Sequence, residues 1–97
     1  RGTKSLPCLQ PIKTKGELII METKEKITID IQKLEDSLKQ VQTIKVTEKE
    51  QEVIERAVDY KNDSKYYLEK EDMRTSFGCI EYSHGLLDAI RMIHELI

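Results

Sequence analysis

Apolar residues recur at helical spacing in three blocks from about residue 29 onward, and the polar residues between them mark where each block ends. Ile31, Leu34, Leu38 and Val41 fall at i, i+3, i+7 and i+10. That narrow stripe predicts a first helix from about Ile29 to Gln42, facing a core. Thr28 has the chemistry of its N-cap, and Asp30 suits the first turn beside the positive end of the helix dipole. Thr43–Val46 reads as a connector. Thr47, with Glu50 three residues on, forms a capping-box pattern that starts a second helix, which continues to about Lys70. Its apolar face carries Val53, Ile54, Ala57, Tyr60, Ser64, Tyr67 and Leu68, with Tyr66 opposite and exposed. Glu69–Asp72 is a short turn, and Asp72 caps a third helix from Met73 to the chain end. A link this short makes the second and third helices antiparallel neighbours.

The third helix has the least ordinary pattern. Its main face holds Met73, Phe77, Ile80, His84 and Leu87. Around the cylinder follow Ser83, Ile90, Cys79, Leu86, Ile93 and Ile97, and then a stripe of Gly78, Tyr82, Gly85, Ala89 and Leu96. Only Arg74, Glu81, Asp88 and Glu95 form a clearly charged sector, so the helix must be covered on more than one side. Each glycine inside a helix costs about 1 kcal/mol relative to alanine. That cost implies a partner packed on Gly78, Tyr82, Gly85 and Ala89: the first helix, a second copy of the chain, or both. The expected fold is all-α, a three-helix antiparallel up-down-up bundle with a poorly structured N-terminal leader.

Residues 1–22 break the pattern through Pro7, Pro11 and Gly16, and are read as a leader, disordered or not native, ahead of a single domain at 23–97. Met21 stands just before the periodic region and is the expected translational start. Lys15-Gly16-Glu17 suits a purine-rich codon string of the kind that serves as a ribosome-binding site. A rival reading pairs Leu18–Ile20 with Ile27–Ile29 as strands, since the latter alternates at period two.

Composition narrows the function classes. The net charge is −2 with both signs interspersed, which argues against a dedicated nucleic-acid or anionic-membrane binder. No apolar run approaches the roughly 18 residues of a membrane span, and no signal-peptide core is visible. Cys8 and Cys79 are too few and too far apart for a disulfide framework or a metal set, and read as reduced thiols in a cytoplasmic protein.

One constellation invites chemistry. His84 and Asp88 stand at i and i+4, where a carboxylate can orient a histidine base or both can reach one ion. Asp59 or Asp63 of the second helix stand across the interface, and Tyr60, Tyr67 and Tyr82 would surround His84 with phenols. A histidine satisfied by Asp88 or a tyrosine at the seam of the second and third helices explains the same residues without function. Two ligands do not make a zinc site, so no metal and no cofactor is expected. Ser83 diverges from His84 by about 100° and cannot serve as its nucleophile. No P-loop, dinucleotide fingerprint or two-histidine protease motif is present, and no catalytic residue is assigned.

The string Tyr82-Ser83-His84-Gly85-Leu86-Leu87-Asp88-Ala89, with Ala57, Asp63, Tyr67, Leu68, Asp72 and Phe77 ahead of it, resembles the archaeal family known as domain of unknown function 357. The resemblance covers roughly the last seventy residues, Ile27–Val41 more loosely. It departs at Glu71, where the family's turn usually has glycine, and at Ser76 and Gly78, where alanine is common. It implies a compact three-helix bundle and no reaction. It also places Asp63, Tyr82, His84, Gly85 and Asp88 within the family pattern. Two functions follow as expectations. The first is a non-enzymatic interaction or scaffold module that self-associates through the third helix, as a homodimer or with a protein partner. The alternative is a small-ligand or metal-binding protein with a polar site at Asp63, Tyr67, Tyr82, His84 and Asp88.

Overall fold

A computed structural model describes the backbone of residues 15–97 and the side chains from residue 23 onward. Among the described residues three helices make up the fold: α1 (Lys15–Val41), α2 (Glu48–Glu69) and α3 (Met73–Ile93). Among the described residues there is no strand. The helices run up, down and up, as the bundle reading expects. Lys24 meets Glu71 at 3.4 Å and Lys65 meets Glu35 at 2.8 Å, so α1 and α2 are antiparallel. His84 meets Asp30 and Arg91 meets Gln40, each at 2.8 Å, so α1 and α3 are parallel.

The first helix starts well ahead of the Ile29 predicted from the stripe. Thr28 is not its cap: the hydroxyl donates to the Lys24 carbonyl at 2.8 Å, one turn back inside α1. The physical reason is Ile27, which is fully buried and extends the stripe by one turn to Ile27, Ile31, Leu34, Leu38 and Val41. Burial of that side chain outweighs the strand preference of the β-branched trio Ile27-Thr28-Ile29. The rival strand pairing is therefore excluded, because both of its segments lie within α1. Residues 1–14 of the expected leader, and its cysteine with them, lie outside the described residues.

Local sequence sets the other boundaries. The Thr47 hydroxyl accepts from the Glu50 amide at 3.0 Å, and the Glu50 carboxylate accepts from the Thr47 amide at 2.9 Å, completing the capping box. Asp72 Oδ1 accepts from the Thr75 amide at 3.3 Å at the start of α3. Both α2 and α3 end in Schellman turns. After α2, Asp72 N donates to Tyr67 O and Glu71 N to Leu68 O; after α3, Leu96 N donates to Arg91 O and Glu95 N to Met92 O. The left-handed position of each turn is held by a glutamate, Glu71 (φ 61°) and Glu95 (φ 59°), where glycine is the unstrained residue. The turn at 71 forms with glutamate in place of the glycine that the resemblance leads one to expect. The second of these turns stops α3 at Ile93, short of the chain end predicted for it.

The core runs along all three helices, with Ile27, Leu34, Val41, Ala57, Ile80, Leu87 and Ile90 at its centre. Within α3 the buried line is Ser76, Ile80, Ser83, Leu87 and Ile90; of the predicted main face Ile80 and Leu87 lie in that line, whereas Met73, Phe77 and His84 are half-buried at its edge. Serines occupy this buried line. The Ser64 hydroxyl donates to Ser76 O (2.8 Å), the Ser76 hydroxyl to Ser64 O (2.7 Å), and the Ser83 hydroxyl to Ala57 O (2.6 Å). All three are fully buried. A side chain this short can bond the carbonyl of a facing helix only if the two backbones lie close together, so the α2–α3 seam is the tightest in the bundle.

Candidate functional site

The five residues of the expected polar site do not converge. His84 faces α1, and its Nε2 lies 2.8 Å from the Asp30 carbonyl. A carbonyl only accepts, so Nε2 donates to it. Asp88 does not orient His84. Its carboxylate accepts from Arg91 at 3.0 Å, and the same Arg91 donates to Gln40 of α1 at 2.8 Å. His84, Asp88 and Arg91 therefore dock α3 on α1, away from the α2–α3 seam expected for them. Tyr82 packs edge-on against Tyr60 of α2, with ring centroids 4.6 Å apart, and Tyr67 packs likewise against Tyr66 at 5.1 Å. The phenols thus form two pairs rather than one cluster around His84. Asp63 is exposed on α2. Among the described residues no group of three His, Cys, Asp or Glu is placed to hold a metal ion.

A second histidine, which the periodicity left aside, has a partner that the sequence did not reveal. His94 caps the end of α3 and meets Glu50 of the α2 capping box at 3.1 Å. The Glu50 carboxyl is held below its ordinary range, first by the Thr47 amide and next by His94. Glu35 is also held low, chiefly by its hydrogen bond from Lys65. Burial pushes the Cys79 thiol up, which makes it a poor nucleophile at neutral pH.

The predicted packing stripe behaves differently from the polar set. Gly78, Tyr82, Gly85 and Ala89 are all exposed, and Tyr82 is 49% accessible. Nothing lies within 4 Å of a Cβ built on either glycine. The tight contact with α1 expected at this stripe is therefore absent: α1 packs against the neighbouring sector of α3, through His84 and Arg91. The ridge continues into Met92 (64% exposed), Ile93 (65%) and, past the helix end, Ile97 (60%). Beside it, toward α2, lies a shallow open groove of about 260 Å³ lined by Lys49, Glu52, Val53, Arg56, Tyr82 and Leu86.

These features define a small all-α three-helix bundle whose third helix exposes Gly78, Tyr82, Gly85, Ala89, Met92 and Ile93. The chain belongs to the family described as "Protein of unknown function (DUF357)", whose model matches residues 30–96. No curated protein matches the chain. No helix among the described residues is long and apolar enough to cross a membrane.

Proposed function

We propose that the protein is a non-enzymatic cytoplasmic interaction module that self-associates through the exposed face of α3. The observation that carries this reading is the ridge itself. Gly78, Tyr82, Gly85, Ala89 and Met92 follow one line along α3, all of them exposed, with Tyr82 flanked on one side by Tyr60 and open space over both glycines. Glycines that touch nothing weaken a helix with no return inside the chain. A second helix laid on the ridge would recover that loss through close backbone approach and burial of Tyr82, Met92 and Ile93. A ligand or metal site at His84 and Asp88 has no comparable support, because each of those residues is bonded to a different partner.

Sedimentation velocity on the full chain tests the proposal, wild type beside Ala89→Arg. Ala89 is exposed, so a charge there leaves the folded chain intact while obstructing a second copy. The expected result is a dimer for the wild type and a monomer for the variant, both with native helix content. A wild type that stays monomeric up to about 1 mM, where an association of only about 4 kcal/mol is half complete, would overturn it.

A further inference from the structure

A symmetric pair built on this ridge can set its two α3 helices parallel or antiparallel, and the charges beside the ridge distinguish the two. We infer that a second copy of the chain docks with its α3 parallel, so that Arg56 on one flank of each ridge meets Glu81 and Asp88 on the opposite flank of the other. The inference rests on the ridge being the surface of self-association.

The two flanks are unlike. On the side toward α1 stand Glu81, exposed and with no hydrogen bond or ion pair among the described residues, and Asp88, which keeps Arg91 at 3.0 Å. On the side toward α2 the groove wall carries Arg56 and Lys49. Lys49 is tied to Glu52 at 3.3 Å, whereas Arg56 is exposed and has no partner among the described residues. The exposed charges without a partner among the described residues are thus Arg74 and Glu81 on the α1 side and Asp63 and Arg56 on the α2 side, so positive and negative follow in opposite order along the two flanks.

Their heights along the bundle match. Ser64 faces Ser76 and Ala57 faces Ser83, which fixes the register of α2 on α3. By that register Arg56 stands level with His84, between Glu81 and Asp88, and Lys49 stands level with Arg91. When the two-fold axis runs along the helices, unlike flanks meet at equal height, so Arg56 of each copy falls between Glu81 and Asp88 of the other. When the axis crosses the helices, each flank meets its own counterpart. That arrangement sets Glu81 beside Asp88 of the second copy and turns both Arg56 side chains toward each other, a juxtaposition that interfaces select against. The parallel arrangement also brings Gly78 and Gly85 opposite themselves, where the missing side chains permit the closest approach.

Cysteine mapping on the full chain tests the orientation. Cys8 and Cys79 are replaced by serine, and Ala89→Cys is introduced alone or mixed with a Tyr82→Cys protein. A disulfide needs Cα atoms about 4.4–6.8 Å apart. In the parallel pair residue 89 meets itself, so Ala89→Cys alone gives a covalent dimer on mild oxidation. Linkage only in the mixture, where 89 reaches 82, overturns the parallel arrangement. Linkage in neither, in a protein that light scattering shows to be dimeric, overturns the ridge as its interface. A monomer by light scattering overturns the self-association on which this inference rests. A charge exchange gives a second readout: Arg56→Glu and Glu81→Arg each weaken the parallel dimer at least tenfold, and together they restore it. Failure of the double exchange to restore dimerisation counts against the pairing.

Discussion

Replacing Ser76 at the α2–α3 seam separates two ways in which buried serines can matter. The three short contacts between Ser64 and Ser76 include an Oγ–Oγ approach of 3.0 Å, but two hydroxyls supply only two protons. Each proton has a carbonyl to serve, so the Oγ–Oγ approach marks proximity more than an additional bond. Ser76→Ala removes the donation to Ser64 O. That carbonyl lies inside α2, where it also has a backbone partner, so no buried polar group is orphaned. The net loss is about 0.5–1.5 kcal/mol for one hydrogen bond. Alanine's better helix propensity returns up to about 0.7 kcal/mol, leaving a cost of no more than about 1 kcal/mol. Ser76→Leu loses the same bond and also drives a branched side chain between backbones close enough for a hydroxyl of one helix to reach a carbonyl of the other. Overpacking of that kind costs about 1–3 kcal/mol, for a total near 3 kcal/mol. In a domain this small each kcal/mol moves the melting temperature by about 4–8 °C. Circular-dichroism melts at one fixed protein concentration should therefore show a shift of a few degrees for alanine and well over 10 °C for leucine. A leucine variant within about 1 kcal/mol of wild type would refute the tight seam. An alanine variant losing more than about 2 kcal/mol would show that the hydroxyls, not their small size, hold it.

Three further outcomes follow from particular contacts. Glu71→Gly relieves a left-handed glutamate, worth about 1–2 kcal/mol, and gives back about 0.5–1 kcal/mol of chain entropy, so denaturant unfolding should show a net gain of up to about 1.5 kcal/mol; a loss would contradict the turn described. The Lys24 ion pair of Glu71 is exposed and subtracts little from that gain. His84→Ala deletes the bond to the Asp30 carbonyl and some packing between α3 and α1, and should cost about 1–2 kcal/mol; an unchanged or raised melting point would mean that His84 is not kept for docking α1. The Glu35 and Glu50 carboxyls are held below their ordinary range in the folded chain, so their contribution is present above that range and lost as pH falls from it through their lowered folded-state values. The melting temperature should drop on acidification into that window, less steeply in Glu50→Gln, which keeps the acceptor for Thr47; identical slopes would contradict the role given to Glu50.

What could be read from the chain was what neighbours in sequence decide. Thr47 with Glu50, and Asp72 before Met73, cap helices through atoms a few residues away, so α2 and the start of α3 fall where their side-chain chemistry puts them. The three-helix count and the up-down-up order follow from periodicity and short links. The start of α1 was not legible, because Ile27-Thr28-Ile29 satisfies a strand alternation and a helix stripe alike, and only the presence of α3 and α2 decides between them. The serine seam was half legible: Ser64 and Ser83 could be placed on inward faces, but a hydroxyl's acceptor on a facing helix is a tertiary fact. His84 presents the same difficulty in sharper form. Its partner is a backbone carbonyl, which leaves no mark in sequence, so the nearby Asp88 drew the attention that belonged to Asp30.

The central claim is that the ridge on α3 is built to be covered by another copy of the chain, and Gly78→Ala with Gly85→Ala tests it by sign. In an isolated chain both substitutions meet open space and should stabilise α3 by about 1 kcal/mol each. Melting temperature followed over about a thousandfold range of protein concentration separates the cases, because association makes it rise with concentration. The account predicts a rising wild-type curve, and a double variant that melts above wild type when dilute but loses the rise. A flat wild-type curve, with the variant displaced upward equally at every concentration, would mean that the ridge faces only water.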